Sequence, residues 1–203
     1  MILLEAKSLS YSRDCCNILY QVSLSCSLGE KIAIYGPSGS GKSCLLALLC
    51  GAATPASGSI STCFELKDRS VIGYLPQDDF FLGHESILYN ALLPSKFIHL
   101  KEEEALNNRV MEWLKFLDIP SNGDPYNLSG GEKRRLSLIR ALALQPTILL
   151  ADEWSSGLDH LNQAKVWSLI EECPSVICVT HDPNILSKCQ KVYRMEQGRL
   201  FPS

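Results

Sequence analysis

A glycine-rich loop that begins at residue 36 limits the possible folds of this chain more than any other feature. The loop, GPSGSGKS at residues 36–43, fits the phosphate-binding pattern G-x-x-x-x-G-K-[ST]. Residues 31–35 before it form a short apolar run with β-branched side chains, which predicts a buried strand. Residues 43–50 after it predict a helix that closes at Gly51. This order of elements predicts an α/β fold that binds phosphate at a helix N-terminus.

The residue types within the loop predict contacts with a nucleoside triphosphate. We expect the ammonium group of Lys42 to lie on the β- and γ-phosphates and the hydroxyl of Ser43 to bind Mg²⁺. The glycines allow backbone N–H groups to surround the phosphate oxygens because they carry no Cβ. The predicted nucleotide-binding residues of this loop are Gly36, Pro37, Ser38, Gly39, Ser40, Gly41, Lys42 and Ser43.

A second block, ILLADE at residues 148–153, ends an apolar run with two carboxylates. The run is too short for a helix, and apolar residues on both faces are typical of a central strand in a parallel sheet. Ligands of open α/β sheets bind at the carboxyl ends of such strands. We therefore expect Asp152 to hold Mg²⁺, directly or through water, and Glu153 to act as the general base on the attacking water.

A third block, LSGGE at residues 128–132, precedes a segment with apolar residues at helical spacing over residues 133–144. Ser129 is placed as an N-cap, and Glu132 completes a capping box three residues later. The same geometry presents a hydroxyl and the bare backbones of Gly130 and Gly131 at a second helix N-terminus. The chain therefore has two predicted phosphate-binding surfaces.

With these blocks the chain resembles the ATP-binding cassette (ABC) family over essentially its whole length. Residues 36–43 and 148–153 match the Walker A and Walker B motifs of that family, and residues 128–132 match its signature motif. Residues 156–159, which end at Asp159, match its D-loop.

Three single residues extend the resemblance. Gln77 stands where the family has its Q-loop, and His181 stands where it has its switch histidine. Tyr11 stands where the family has an aromatic ring that stacks on adenine. His181 alone could equally cap a strand, and Tyr11 alone could be a packed aromatic side chain.

The resemblance implies that two cassettes bind two ATP molecules between them, head to tail, with Walker A of each facing Ser129, Gly130 and Gly131 of the other. Hydrolysis would then require both chains, and Asp159 would couple the two sites. The implied catalytic residues are Lys42, Gln77, Glu153 and His181, and the implied Mg²⁺-binding residues are Ser43, Gln77 and Asp152.

Two positions depart from the pattern of the family. Cys44 replaces a threonine that contacts the α-phosphate, so Cys44 belongs to the implied ATP-binding residues as a weaker donor. The lost hydrogen bond would cost about 0.5–1.5 kcal/mol. A thiol at a helix N-terminus is also expected to have a lowered pKa and to be open to oxidation. Trp154 replaces a proline and puts a large amphipathic ring in the turn after Glu153.

The resemblance implies a P-loop NTPase fold in one domain over residues 1–203. It has a mostly parallel core sheet, an N-terminal antiparallel β portion and an inserted helical lobe at about residues 84–145. Within that lobe we expect a helix that opens at Lys101 and places Leu106, Val110, Trp113, Leu114 and Leu117 on one face. The chain has 203 residues, of which 46% are hydrophobic, enough for one substantial core.

Composition also limits the partners. A net charge of −3 with mixed signs gives no support to a nucleic-acid-binding surface, so we expect no nucleic acid partner. No apolar run approaches the roughly 20 residues of a membrane span, and no signal peptide is evident. The nine cysteines, an odd number, indicate a reducing compartment.

The resemblance implies the energising subunit of an ABC transporter. It would work as a homodimer with transmembrane permease subunits at the cytoplasmic face of the membrane. Residues 149–153 resemble branches that serve lipoprotein release, macrolide export and cell division, which favours export or mechanical coupling over import. The alternative is an ABC-type regulator or clamp that moves no solute, for example in cell division.

Two adjacent phenylalanines, Phe80 and Phe81, follow the Q-loop, where the family receives a helix of its membrane partner. Either one of them is exposed as an anchor for that helix, or both are buried at the junction of the lobes.

Overall fold

The computed structural model of the protein describes residues 1–14, 16–63, 71–97 and 103–203. Its strands, in chain order, are β1 (Ile2–Arg13), β2 (Cys16–Ser27), β3 (Lys31–Tyr35), β4 (Ser57–Thr62), β5 (Ile72–Leu75), β6 (Ile148–Asp152), β7 (Ser175–Val179), β8 (Lys191–Glu196) and β9 (Arg199–Pro202). Its α-helices are α1 (Lys42–Leu49), α2 (Ile87–Leu92), α3 (Glu103–Phe116), α4 (Gly130–Leu142), α5 (His160–Glu172) and α6 (Pro183–Leu186).

The strands form the two sheets that the sequence predicted. One sheet is antiparallel, with the strand order β2-β1-β4. The other has the order β5-β6-β7-β3-β8-β9, and its strands are parallel except for the pair β8 and β9. The predicted α/β fold with a mostly parallel core sheet and an N-terminal antiparallel portion is therefore confirmed.

The central strands of the core sheet are buried on both faces, as the apolar run at residues 148–152 predicted. Every residue of β6 and β7 is buried. Side chains alternate along a strand, so Ile148 and Leu150 pack with α1 and the antiparallel sheet, while Leu149 and Ala151 pack with the helices on the opposite face. The core sheet thus separates two apolar clusters.

The described residues between 84 and 145 contain helices and loops but no strand. Four of the five apolar side chains predicted for one face of α3 or just after it are buried, namely Leu106, Val110, Leu114 and Leu117, and Trp113 is partly buried against the same cluster. Lys101, at which we expected this helix to open, lies outside the described residues.

Two helix boundaries differ slightly from the predicted ones. The first helix begins at Lys42 and ends at Leu49, with Gly51 in the left-handed conformation at φ +76° as expected for a residue that closes a helix. The helix after the signature begins at Gly130, directly after the predicted N-cap Ser129, and ends at Leu142, two residues before the predicted end. Within the described part of the chain, no helix combines the length and the hydropathy needed to cross a membrane.

Candidate functional site

Four neighbouring parallel strands of the core sheet end at one edge, and each is followed by a residue that the sequence singled out. The order in space is β5, β6, β7 and β3. Gln77 follows β5, Glu153 follows β6, His181 follows β7, and the phosphate loop begins at Gly36 directly after β3. Because parallel strands have their carboxyl ends on the same edge of a sheet, these groups gather there.

The phosphate loop closes around the ammonium group of Lys42. This side chain is 6% exposed, and its Nζ donates to the carbonyls of Gly36 at 2.6 Å and Pro37 at 2.9 Å. Gly41, at φ +103°, turns the chain into α1. Ser43 is exposed in the first turn of that helix, where unpaired N–H groups favour an anion.

Asp152 is the buried carboxylate of this edge. It is 1% exposed, and among the described residues neither of its carboxylate oxygens has a hydrogen-bond partner. Burial raises the pKa of this carboxyl, although the nearby Ser43 hydroxyl and the positive charges of Arg134 and Lys42 oppose the shift. The Ser43 hydroxyl lies close without forming a hydrogen bond of normal geometry.

A buried carboxylate without a partner is costly unless a cation or a donor meets it. The two free oxygens of Asp152 and the exposed hydroxyl of Ser43 are hard oxygen ligands of the kind that Mg²⁺ prefers. The residues present therefore fit Mg²⁺, the ion that the resemblance implies.

Glu153 takes a backbone conformation that is rare for this residue type. Its φ is +45°, its N–H donates to the Val179 carbonyl at 3.1 Å, and its carbonyl accepts from Ser156 at 3.0 Å. A left-handed residue other than glycine costs about 1–3 kcal/mol and is typical of functional sites. The side chain is partly exposed at the strand edge, where water can reach it.

Trp154 turns into the core. It is 1% exposed, and its ring centroid lies 5.5 Å from that of Trp167 on α5, with 33° between the rings. Its indole N–H has no partner among the residues described. The departure at Trp154 therefore anchors the turn after Glu153 by packing, in place of the fixed φ of proline.

The signature residues form the predicted capping box. The Ser129 hydroxyl accepts from the Glu132 N–H at 3.3 Å, and the Glu132 carboxylate accepts from the Ser129 N–H at 2.8 Å. The Ser129 hydroxyl also donates to the Glu132 carboxylate at 2.6 Å, and this hydrogen bond, together with the one from the Ser129 N–H, lowers the pKa of Glu132. Ser129 and Gly130 are exposed, and in the described part of the chain no side-chain hydrogen bond of Ser129 reaches the phosphate loop. Within one chain, the Ser129 hydroxyl is thus engaged by its own capping box and not by the phosphate loop.

The remaining predicted residues lie around the same edge. Gln77 and His181 are exposed, and Tyr11 is partly buried on β1. The strand partner of Tyr11 is Leu19, whose side chain lies 2.7 Å from where a Cβ on Gly41 would be. Tyr11 is therefore carried on a strand pair that packs against the phosphate loop.

The adjacent phenylalanines after the Q-loop separate. Phe80 is 68% exposed and Phe81 is 7% exposed, so of the two alternatives the structure shows the one in which a single phenylalanine faces outward. The guanidinium of Arg140 lies 5.1 Å from the centre of the Phe81 ring, and the Tyr126 hydroxyl donates to the Phe81 carbonyl at 2.9 Å. Phe81 is held in place, and Phe80 is left on the surface.

The expected low pKa of Cys44 is wrong. Burial raises the pKa of this thiol above its usual value, and the positive charge of Arg13 reverses only part of that shift. Desolvation of the thiolate is the largest contribution to this shift, and the negative charge of Asp152 adds to it. Cys44 therefore stays protonated at neutral pH and is less open to oxidation than the sequence suggested.

Replacing Cys44 by Thr is expected to tighten ATP binding by about 2- to 12-fold, the equivalent of one recovered hydrogen bond of about 0.5–1.5 kcal/mol. Isothermal titration of ATP with Mg²⁺ measures the change. Cys44→Val is the matched control because it has the shape of threonine without the hydroxyl. Equal affinities for the two variants would mean that this position makes no hydrogen bond to the nucleotide.

Sequence reasoning missed Arg134. It lies on α4 and is 4% exposed, with hydrogen bonds to the carbonyls of Pro76, Gln77 and Asp152. The sequence did contain one indication that Arg134 is buried. Arg134 precedes Leu138 by one helical turn and therefore lies on the apolar face of the helix.

The family profile described as "ABC transporter" matches residues 19–156 of this chain. Among curated relatives, the lipoprotein-releasing system ATP-binding protein LolD of Bordetella pertussis is 32% identical over 91% of this chain and 87% of its own length. The methionine import ATP-binding protein MetN of Cutibacterium acnes is 34% identical over 91% of this chain, which spans 55% of that protein.

Solved structures give the same result. The ATP-binding cassette MJ0796, as a dimer in a post-hydrolysis state with ADP and Pi, superposes with a TM-score of 0.87 at 28% identity. The alignment covers 99% of this chain and 98% of that one. A second dimeric structure of the same cassette has a TM-score of 0.86 at 29% identity, over 98% and 96% of the two chains. This chain therefore belongs to the ABC transporter family and is one of its ATP-hydrolysing ATP-binding subunits.

Proposed function

We propose that this chain hydrolyses ATP as one half of a homodimer in which each nucleotide lies between the phosphate loop of one copy and the signature helix of the other. One observation carries the proposal. The exposed N-terminus of α4 is built to bind an anion but stands apart from the loop that holds Lys42. A second copy placed head to tail would bring the N-terminus of its α4 to the phosphate loop of the first copy, and the reverse. The related cassette MJ0796 was solved as a dimer.

Each residue then has a defined task. Lys42 and the loop N–H groups bind the phosphates, Tyr11 stacks on adenine, and Cys44 lies by the α-phosphate. Glu153 accepts a proton from the attacking water, and His181 stabilises the γ-phosphate as it leaves. Ser129, with the N–H groups of Gly130 and Gly131, contributes from the partner copy.

Ser43, Gln77 and Asp152 would hold Mg²⁺. When bound, this ion neutralises charge on the β- and γ-phosphates. Burial raises the pKa of Asp152, and the positive charges of Arg134 and Lys42, with that of the bound ion, would oppose this shift and keep the carboxylate ionised for that task.

The membrane partner is the finer part of the proposal. We expect transmembrane permease subunits to bind beside the Q-loop, where Phe80 is exposed next to Gln77. We therefore expect the chain to lie at the cytoplasmic face of a membrane. The relatives include both a lipoprotein-releasing and a methionine import protein, so the preference for export or mechanical coupling over import rests on the resemblance of residues 149–153.

A mixing experiment tests the composite site. Lys42→Ala removes the phosphate ligand from one loop, and Gly130→Asp puts a carboxylate where the partner's phosphate would lie. Neither variant alone should hydrolyse ATP. A 1:1 mixture should recover up to about a quarter of wild-type turnover, because half of the dimers are mixed and each mixed dimer has one intact site.

The Gly130→Asp variant should fold normally. A Cβ on Gly130 would meet no atom within 4 Å, and an acidic residue in the first turn of a helix is favourable by about 0.3–1 kcal/mol. Gly130→Ala is the matched control and should keep most of the activity. If the mixture stays as inactive as its components, the site is not shared between two copies, and a role without this dimer becomes the better explanation.

A further inference from the structure

The guanidinium group of Arg134 lies between the two strand ends that carry Gln77 and Asp152. Its Nη1 donates to the carbonyls of Pro76 at 2.5 Å and of Gln77 at 3.2 Å. Its Nη2 donates to the carbonyl of Asp152. A single side chain of the signature helix therefore joins the ends of β5 and β6.

Stability alone explains this residue poorly. Arg134 is 4% exposed and pairs with Asp79 at 3.2 Å, while its Nε has no partner among the described residues. Burying a guanidinium costs several kcal/mol before its partners compensate, and apolar residues of similar volume often replace buried ion pairs without loss. The three backbone carbonyls to which Arg134 donates, those of Pro76, Gln77 and Asp152, give a better reason for an arginine at this position.

Arg134 and β7 together fix one peptide group. The carbonyl of the Asp152–Glu153 peptide accepts from Arg134, and its N–H donates to the carbonyl of Val179 at 3.1 Å. Both polar ends of this peptide are thus occupied just before Glu153 enters its left-handed conformation at φ +45°. The orientation of this peptide sets the direction in which the Glu153 side chain leaves the strand.

We propose that Arg134 is a positioning residue that holds the Gln77 segment and the Asp152–Glu153 peptide in one fixed arrangement. The proposal rests on the roles given above to Gln77, Asp152 and Glu153. A displacement of the Q-loop segment is then transmitted through the guanidinium to the peptide that aims the general base. Because Arg134 lies on α4, the helix that follows the signature, this helix would move with the Gln77 segment and with the Asp152–Glu153 peptide.

Steady-state kinetics of Arg134→Gln test the proposal. We expect kcat at saturating ATP and Mg²⁺ to fall by about 10- to 100-fold, since a misplacement of about 1 Å costs on the order of 100-fold. The Kd for ATP should change by less than about threefold, because Arg134 has no hydrogen bond to the phosphate loop in the described residues. Arg134→Lys should recover part of kcat, because the charge remains but the two-pronged contact is lost.

Arg140→Gln is the matched control. Arg140 lies on the same helix and also donates to a loop carbonyl, that of Phe80 at 2.5 Å, but it reaches neither strand end. This variant should keep kcat within about twofold of the wild type. The melting temperatures of both variants show whether any loss in Arg134→Gln reflects unfolding at the assay temperature.

A double-mutant cycle with Gln77→Ala separates positioning from general destabilisation. If Arg134 acts through the Gln77 segment, the double variant should lose less activity than the product of the two single losses. Multiplicative losses, or a kcat for Arg134→Gln within about twofold of the wild type, would overturn the proposal.

Hydrogen exchange distinguishes a failure here from a failure of the proposed ATPase cycle. Arg134→Gln should speed amide exchange at residues 71–79 and at Glu153 but not at the buried β3. This pattern would support the positioning role even if the chain alone turned over no ATP, and unchanged exchange would refute it. If the wild type hydrolyses ATP, Glu153→Gln does not and Arg134→Gln has the turnover of the wild type, the positioning role is refuted. The proposed function would be unaffected by that result.

Discussion

Replacing Glu153 by Gln is expected to lower ATP turnover by at least about 100-fold, the usual contribution of a general base. The amide keeps the size of the carboxylate and its backbone conformation but cannot accept the proton of the attacking water. ATP binding should persist because Lys42, which would bind the phosphates, and Ser43, which would hold Mg²⁺, are unchanged. Phosphate release measured against ATP concentration gives both quantities.

The same variant should accumulate as a dimer with ATP and Mg²⁺, since the closed state can no longer be resolved by hydrolysis. Size-exclusion chromatography with and without ATP detects it. Glu171→Gln on the exposed face of α5 is the matched control and should behave as the wild type does. If Glu153→Gln retains a tenth or more of the activity, the substitution raises the activation free energy by no more than about 1.4 kcal/mol. That result would mean that another residue is the general base.

Gly36→Ala should abolish ATP binding and lower the free energy of unfolding by more than about 4 kcal/mol. Single substitutions reach losses of this size only by a few mechanisms, and overpacking of a buried position is one of them. A Cβ at this position would lie 1.9 Å from the carbonyl oxygen of Met195 on β8. Both groups belong to the backbone of buried elements, so neither can move away cheaply. The φ of Gly36, +152°, is also unfavourable for alanine.

Gly39→Ala separates this clash from the loss of a glycine. Gly39 has φ +77°, but a Cβ there would meet no atom within 4 Å. Its cost should be about 1–2 kcal/mol, the strain of the left-handed conformation alone. Urea unfolding of the two variants compares the free energies, and equal losses would mean that the contact with Met195 relaxes.

Features that depend on neighbouring residues were predictable from the sequence. The phosphate loop with its helix, the capping box at Ser129 and the buried strand before Asp152 each follow from spacing within about ten residues. The order of these blocks, together with the family resemblance, was enough to predict both sheets. These elements are determined mainly by residues that are close together in the sequence, so they can be predicted without knowledge of the tertiary contacts.

Features that depend on distant contacts were not predictable. The carbonyls that Arg134 holds at Pro76 and Gln77 belong to residues 58 and 57 positions earlier in the chain. The protonated state of Cys44 follows from burial, which the helix N-terminus rule alone does not include. The inward turn of Trp154 needed the position of Trp167 on α5. In each case a tertiary contact outweighs the local expectation.

The contact between the tilted rings of Trp154 and Trp167 gives the protein an intrinsic fluorescent probe near the site. One indole is joined directly to Glu153, and the other belongs to the helix that follows the D-loop. Indole emission depends on the packing and polarity around the ring, so any shift of the turn after β6 changes the fluorescence of the unlabelled protein. Trp154, one of the two positions that depart from the family pattern, is thus also a probe with which fluorescence can follow movement beside Glu153.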